Sequence, residues 1–219
     1  MAKRTALLAG ATGLVGGQLL RLLLADDAYQ KVTILSRRGL PLTNPKLQQR
    51  LIDFNHLADL DAPKVDDVFC CLGTTIKKAG SQDAFRKVDF GYVEALARVA
   101  ARAGARQFLL VSAIGASSKS RVFYSRVKGE TEAAVQAAGF TGTHIFRPSM
   151  LLGDRAEPRI LERVGTPLMR AVAFAMVGPL RRARPIAAAD VAAAMVRAAK
   201  KARNGVHVYT YDDMIAPTA

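Results

Sequence analysis

Three polar side chains near the middle of the chain have the types and spacing of a proton-transfer site. Tyr124 and Lys128 form a Y-x-x-x-K pair, and residues four apart share one face of a helix. A phenol has an ordinary pKa near ~10, and a nearby ammonium favours its phenolate form, so such a pair can protonate a carbonyl oxygen or deprotonate an alcohol. Ser112 lies upstream and carries a hydroxyl that can hydrogen-bond the reacting oxygen. We therefore predict that these three residues are catalytic.

A glycine-rich loop near the amino end has the form of a phosphate-binding turn. It follows an apolar stretch at residues 5–9 and precedes an apolar, helix-like stretch at residues 14–24. Glycine lets a pyrophosphate approach the backbone closely, and the N–H groups of the new helix then face that anion. A tight strand-to-helix turn without a ligand is the alternative. The loop predicts a dinucleotide site made by Gly10, Thr12, Gly13, Leu14, Val15 and Gly16.

The end of the second predicted strand indicates which dinucleotide binds. Folds that prefer NAD usually carry an acidic residue about 20 positions past the glycines, where it holds the ribose 2′-hydroxyl. This chain has Ser36, Arg37 and Arg38 at that point. A guanidinium grips a 2′-phosphate with paired donors, whereas a carboxylate would repel it. These residues favour NADP, bound as NADPH for a reduction; two solvated arginines are the alternative.

Other strand ends supply further candidate cofactor contacts. Asp53 and Phe54 close the third strand, where a carboxylate can accept a hydrogen bond from an adenine amino group. Pro148 stops the sixth strand, and the segment it begins is expected to pass the nicotinamide carboxamide. Ordinary strand-end chemistry is the alternative for each. Small residues after the fourth strand leave room for a ribose, and the remaining predicted contacts are Leu72, Gly73, Thr74, Thr75, Ser149 and Met150.

Apolar, β-rich stretches alternate with Ala- and Leu-rich stretches of helical period, and these elements must position the candidate site. Continuous apolar strands that alternate with helices predict an α/β fold, a doubly wound parallel sheet of the Rossmann type. Ligands bind at the carboxyl ends of such strands, where Ser112 lies. Residues 154–185 are predicted to form a small lid or substrate lobe within a single domain. The predicted strands are residues 5–9, 31–36, 49–53, 67–72, 107–112, 143–147 and 206–209, and the longest predicted helix is 83–103.

Composition bounds the class of protein. The 219 residues carry a formal charge of +14 and are half apolar, which fits a folded globular chain. Adjacent Cys70 and Cys71 exclude a disulfide framework, and three scattered histidines argue against a metal site.

No apolar run reaches the ~18 residues of a membrane span, and no secretory leader is evident, so we expect a cytosolic protein. The dense basic clusters at residues 181–184 and 200–203 lack interleaved aromatic residues, so nucleic acid is not an expected partner.

In combination, these motifs resemble those of an atypical short-chain dehydrogenase/reductase. The chain is most similar to the Tat-interacting-protein subgroup, in the glycine loop and in the stretches CLGTT (71–75), KAG (78–80), VD (88–89), YSRVKGE (124–130), FRP (146–148) and LLGDR (151–155). The resemblance implies a Rossmann fold, NADP binding and a Ser/Tyr/Lys reductase site. Two positions depart from the family pattern: Ala113 stands where relatives often have a second serine, and Asp89 stands where classical members have asparagine.

Two functions are compatible with these features. The first is an NADP-dependent oxidoreductase that reduces a small carbonyl compound, with Tyr124 as proton donor. The second is an NADPH-binding sensor or regulatory scaffold with little catalysis, which the two departures favour. An apolar stretch at residues 168–177 is either core or a subunit interface, so a homodimer is possible.

Overall fold

The computed structural model describes residues 3–153 and 182–216. Most of the predicted lid or substrate lobe at residues 154–185 lies outside the described residues, as does the apolar stretch at 168–177. The lobe and the homodimer therefore stay predictions.

The strands form one large parallel sheet and one small one. The large sheet has seven strands in the order β3-β2-β1-β4-β5-β6-β9, and every neighbouring pair is parallel. The small sheet pairs β7 with β8. In chain order the strands are β1 (Arg4–Ala9), β2 (Tyr29–Ser36), β3 (Leu47–Leu51), β4 (Asp67–Cys70), β5 (Gln107–Val111), β6 (Gly142–Phe146), β7 (Leu151–Leu152), β8 (Ile186–Ala187) and β9 (Gly205–Tyr209).

The helices cover both faces of the large sheet, which confirms the doubly wound prediction. One apolar cluster packs α1 and α6 on one face, and a second packs α4 and α5 on the other. A 3-10 turn lies at Phe54–Asp59 and a π turn at Lys87–Gly91. The helices are α1 (Leu14–Ala25), α2 (Ile76–Ala79), α3 (Gln82–Arg86), α4 (Tyr92–Arg102), α5 (Phe123–Ala137), α6 (Ala188–Lys201) and α7 (Tyr211–Ile215).

The strand order reverses direction at β1, and this point positions the site. From β1 the chain moves outward to β2 and β3, then returns to place β4 on the other side of β1. In open sheets of this kind, ligands bind in the crevice outside the carboxyl ends of the strands at such a reversal. Among the described helices, none is long and apolar enough to cross a bilayer.

A buried polar network lies between the sheet and α6. Asp67 accepts hydrogen bonds from Arg4, Tyr29 and Gln107, at 2.5 to 2.8 Å. The Gln107 amide nitrogen also donates to a carbonyl of α6, so its oxygen is left to accept from Nε2 of His144, at 3.0 Å. This assigns the Nε2–H tautomer to His144. Burial lowers the pKa of this ring to about 4.

We predict that His144 makes the fold sensitive to acid. The ring is neutral in the fold but takes up a proton at its ordinary pKa, about 6.5, in the unfolded chain. Stability is therefore lost as the pH falls from about 6.5 towards 4, and His144 should lower the free energy of unfolding by about 2 kcal/mol between pH 7 and pH 5. Urea unfolding at both pH values measures this loss. The free energy of unfolding of His144→Gln should fall by about 2 kcal/mol less than that of wild type over the same pH interval. An identical loss in both proteins would contradict the assignment.

Candidate active site

The glycine loop is built so that a phosphate can reach the backbone. Gly10 has a φ of +91°, and a Cβ there would lie 2.5 Å from the carbonyl carbon of Cys71. A Cβ on Gly16 would lie 2.1 Å from the Gly10 carbonyl oxygen, so both positions require glycine. Gly13 precedes α1 and supplies no side-chain cap, which leaves the N–H groups of the first helical turn facing the loop. This cradle fits a pyrophosphate.

The other loop residues named from the sequence differ in exposure. Thr12 is exposed and Leu14 is half-buried, whereas Val15, on the first turn of α1, is buried in the core. The hydroxyl of Thr12 is therefore accessible to a ligand, whereas Val15 can offer only its backbone.

Arginine side chains extend from the carboxyl end of β2. Ser36 is buried, and its hydroxyl donates to the carbonyl oxygen of Arg38 at 2.9 Å, which shapes the turn. Arg37 and Arg38 are exposed, and within the described part of the chain neither guanidinium has a hydrogen-bonding or ion-pair partner. Two unneutralised cations thus lie at the end of the strand adjacent to the glycine loop. This arrangement is compatible with a bound anion.

The end of β3 is already engaged in local structure. The Asp53 carboxylate accepts from the backbone and side-chain nitrogens of Asn55, each at 2.9 Å, and these bonds lower the pKa of Asp53. The Phe54 ring is buried and packs against Tyr92. Phe54 can therefore meet a cofactor only through its backbone, and the adenine contacts of both residues stay predictions.

A buried ion pair joins the loop after β4 to α5. The Lys128 ammonium lies 2.7 Å from one carboxylate oxygen of Asp89, and the other oxygen accepts from the backbone N–H of Thr74 at 2.8 Å. A Cβ on Gly73 would lie 3.7 Å from Lys128 Nζ. Lys128 and Asp89 are both buried. The structure thus brings the lysine of the Y-x-x-x-K pair to the cofactor edge of the sheet.

The sequence identified Asp89 only as a departure from the family pattern, not as a partner of Lys128. Asp89 lies on the π turn, and its backbone carbonyl accepts from the hydroxyl of Thr131 on α5. Short π turns occur frequently at functional sites. The spacing of apolar residues in this segment does not indicate the extra residue in the π turn. The orientation of Asp89 was therefore not predictable from spacing alone.

Tyr124 lies in the first turn of α5, one turn before Lys128. Its side chain is half-buried, and its ring packs at 5.5 Å, centroid to centroid, against the buried ring of Phe85. Within the described residues the phenol has no hydrogen-bonding partner. The ring is therefore held by packing, and its hydroxyl remains available to a ligand.

Ser112 belongs to a buried network that the sequence did not predict. Its hydroxyl lies 2.5 Å from Oε1 of Glu132, and Arg147 donates two hydrogen bonds to the same carboxylate, at 3.0 and 2.5 Å. The network ties β5, α5 and the residue after β6 together. The available signal was the four-residue spacing between Lys128 and Glu132, which places both on one face of α5.

The segment after β6 is held by backbone hydrogen bonds. The carbonyl of Pro148 accepts from Ile114 and that of Met150 from Ile186, each at 2.9 Å. The Ser149 hydroxyl donates to a backbone carbonyl of residue 184. After β4, the Thr75 hydroxyl caps α2, and Leu72 packs at the edge of a core cluster. These residues lie in the segments that follow β4 and β6, and their contacts with a cofactor stay predictions.

Taken together, the parallel sheet, the crevice at β1 and β4, and the glycine cradle define a dinucleotide-binding Rossmann fold. A family model described as NAD(P)H-binding matches residues 10–202. Protein HTATIP2 of Rattus norvegicus is 39% identical over 165 residues, which cover 73% of this chain and 67% of that protein. The chain therefore belongs to the NAD(P)H-binding family, as an atypical short-chain dehydrogenase/reductase of the Tat-interacting-protein type.

A solved structure has the same fold. The human epimerase family protein SDR39U1 (isoform 2), solved with NADPH, superposes with a TM-score of 0.66 over 94% of this chain and 74% of that chain, at 19% identity. Other solved structures of this fold were determined with NAD. At such low identity the likeness concerns the fold alone.

The names of fungal relatives contradict the cytosolic location that the sequence led us to expect. Protein FMP52, mitochondrial, of Candida albicans is 31% identical over 204 residues, which cover 90% of this chain and 88% of that protein. Relatives from Scheffersomyces stipitis and Candida glabrata are likewise named as mitochondrial. The expectation failed because a search for an apolar secretory leader does not detect other targeting signals, such as amphipathic, Arg-rich ones.

Proposed function

We propose that this protein is an NADP-dependent oxidoreductase that reduces a small carbonyl compound. The observation that carries the proposal is the position of Lys128, whose ammonium lies against Gly73 at the carboxyl end of β4. The backbone of Cys71, at the same strand end, contacts the glycine cradle. The residue pair that can move a proton therefore adjoins the crevice that can hold a dinucleotide.

In the proposed reaction, the cofactor and three side chains have separate roles. When bound, a reduced nicotinamide supplies the hydride that a carbonyl carbon accepts. Tyr124 holds a proton at its phenolic oxygen, donates it to the carbonyl oxygen and regains one from solvent. Lys128 stabilises the transient phenolate and holds the cofactor ribose. Asp89, which is itself held by the backbone N–H of Thr74 in the loop after β4, keeps Lys128 in place.

NADP is favoured over NAD by the charge at the end of β2. Arg37 and Arg38 are exposed and, among the described residues, carry no carboxylate partner, and a guanidinium binds phosphate through paired, charge-assisted hydrogen bonds. A 2′-phosphate is the group that NADP carries and NAD lacks. We therefore propose that these residues select NADP.

Removing either arginine should weaken NADPH binding selectively. Arg37→Ala or Arg38→Ala is expected to raise the Kd of NADPH by about 10- to 100-fold, because a hydrogen bond to a charged group contributes about 1.5–3 kcal/mol. The Kd of NADH should change less than about twofold. Fluorescence titration of both nucleotides measures the effect. Arg21→Ala, at an exposed position on α1, removes the same charge and should leave both Kd values unchanged; equal loss for NADH and NADPH would contradict the assignment.

The second candidate function is an NADPH-binding sensor or scaffold with little catalysis. It is favoured by Ala113, which offers no hydroxyl at the end of β5, and by the hydrogen bond from Ser112 to Glu132. With Ser112 engaged, a carbonyl oxygen would have Tyr124 as its donor and no help from this serine. Tight NADPH binding without oxidation of the nucleotide by aldehydes, ketones or quinones would support this function.

A further inference from the structure

The last strand of the large sheet has an open edge. β9 pairs with β6 on one side, and among the described residues no strand pairs with it on the other. The N–H of Gly205 and the carbonyl of Tyr209 bond to backbone groups that flank β6. Since alternate residues of a strand direct their N–H and C=O groups to opposite sides, those of Val206 and Val208 point away from the sheet.

The side chains at this edge are apolar and exposed. Val206 is 49% exposed and Val208 is 43% exposed, and residues two apart in a strand lie on the same face of the sheet. Edge strands are usually protected from other chains by charged residues, proline or a bulge. β9 contains no charged residue and no proline, and its register with β6 is uninterrupted. It is therefore a template for another strand.

The opposite edge of the sheet is protected. β3 carries the charged Arg50 and two glutamines among its five residues. The side chain of Gln49 hydrogen-bonds the backbone of Leu40 and Leu42, at 2.8 to 3.1 Å, and so ties that segment to the strand. Lack of protection is thus particular to β9, which indicates a partner at this edge.

The sequence of β9 is complementary to itself. Its central residues read Val206, His207, Val208, so two copies that run antiparallel about His207 place Val206 of each opposite Val208 of the other. The backbone groups of both valines face outward, and each such pair can therefore exchange two hydrogen bonds. Facing β-branched side chains also stabilise strand pairing.

The charges that flank β9 favour the same arrangement. Lys201 and Arg203 precede the strand, and Asp212 and Asp213 follow it. Antiparallel pairing places the basic end of one copy beside the acidic end of the other, whereas parallel pairing would bring like charges together. A contact of this kind uses the same patch on both copies, as a two-fold interface requires.

We propose that β9 is the contact strand of a homodimer, in which two copies pair antiparallel about His207. Their large sheets then join into one continuous sheet. The occupant of the open edge is a second copy of this chain, because the strand and its flanking charges complement themselves. The inference does not depend on the proposed function, since neither the nucleotide nor hydride transfer takes part in it.

Two double variants at the same positions test the pairing. Val206→Lys with Val208→Lys places like charges opposite each other in both pairs, whereas Val206→Lys with Val208→Asp places opposite charges there. Sedimentation velocity of the full chain over a concentration series measures the Kd of the dimer. The first variant should raise this Kd by at least about a hundredfold, and the second should keep it within about tenfold of wild type. Leu51→Lys, at a 62% exposed position on β3, is the control and should dimerise as wild type does.

A cross-link tests the centre of the pairing without adding charge. Directly opposite residues of a pair without hydrogen bonds have Cα atoms about 4.5 Å apart, a separation that a disulfide can span. Oxidised His207→Cys should therefore form a covalent dimer, and Leu51→Cys and the wild-type protein should not. This measurement decides the question if thermal unfolding shows that the two lysines prevent folding.

Four results would overturn the inference. A wild-type protein that stays monomeric at every concentration would show that no second copy covers this edge. An intact dimer in the folded variant with two lysines would place the interface elsewhere, and equal effects of the two double variants would exclude antiparallel pairing in this register. Absence of a covalent dimer in His207→Cys would exclude His207 as its centre.

Discussion

Tyr124→Phe is expected to abolish NADPH-dependent carbonyl reduction and to leave NADPH binding unchanged. The variant removes only the phenolic oxygen, and the ring can still pack against Phe85. General acid catalysis by a positioned side chain contributes about 10²- to 10⁴-fold, so kcat should fall by about a thousandfold. Steady-state oxidation of NADPH measures the loss, and fluorescence titration measures the binding.

Tyr92→Phe is the matched control for this experiment. Tyr92 also carries a phenol in contact with a neighbour, since its hydroxyl donates to Asn55 at 2.9 Å, but it lies at the start of α4 outside the proposed catalytic residues. Its kcat should stay within about twofold of wild type. Unchanged turnover in Tyr124→Phe would remove Tyr124 from the mechanism.

Gly16→Ala is expected to destroy dinucleotide binding. The added Cβ would lie 2.1 Å from the carbonyl oxygen of Gly10, and Cβ atoms essentially never approach such an atom within 3.0 Å. The loop must therefore move by about 1 Å, and a displacement of that size at a binding site can cost about a hundredfold. The Kd of NADPH should rise by at least that factor.

Gly17→Ala, at the next position of the same helix, is the control. Its Cβ would lie 3.5 Å from the Ala11 carbonyl oxygen, an ordinary contact, and alanine is favoured over glycine inside a helix. NADPH should bind to this variant as it does to wild type. Loss of binding in both variants, or in neither, would show that the close approach at Gly16 does not build the site. Thermal unfolding distinguishes a lost site from a lost fold.

The large sheet was predictable because most of its strands are nearly continuous apolar runs, with the polar edge strand β3 as the main exception. Each predicted strand of that sheet overlaps an observed one, with ends that differ by a few residues. The predicted helix at 83–103 corresponds to α3, the π turn and α4 in succession. The small sheet was not predicted, because strands of two residues, Leu151–Leu152 and Ile186–Ala187, carry no periodic signal.

The candidate site was predictable only where a local motif carries its chemistry. The glycine cradle and the Y-x-x-x-K pair are local, and spacing alone places their residues on a turn and a helix. The partners of Lys128 and Ser112 come from other elements: Asp89 from the π turn, and Arg147 from the end of β6. Such contacts depend on how helices and strands pack, which short-range patterns do not specify.

The net charge of +14 is a weak guide to function. Some of the basic residues are neutralised within the fold, including Arg4 by Asp67 and Lys128 by Asp89. Others, such as Arg37 and Arg38, are exposed beside the cofactor crevice. The placement of these side chains, and not their number, supports an anionic dinucleotide as the ligand.

Isotope transfer from labelled NADPH tests the central claim most directly. The protein is incubated with NADPH deuterated at either C4 position and a panel of ketones and aldehydes, and the alcohols formed are examined by mass spectrometry. A reductase predicts deuterium on the carbinol carbon from one of the two labels, and no transfer in Tyr124→Phe. Saturated binding of NADPH with no deuterium in any product would contradict the reductase and favour the sensor or scaffold.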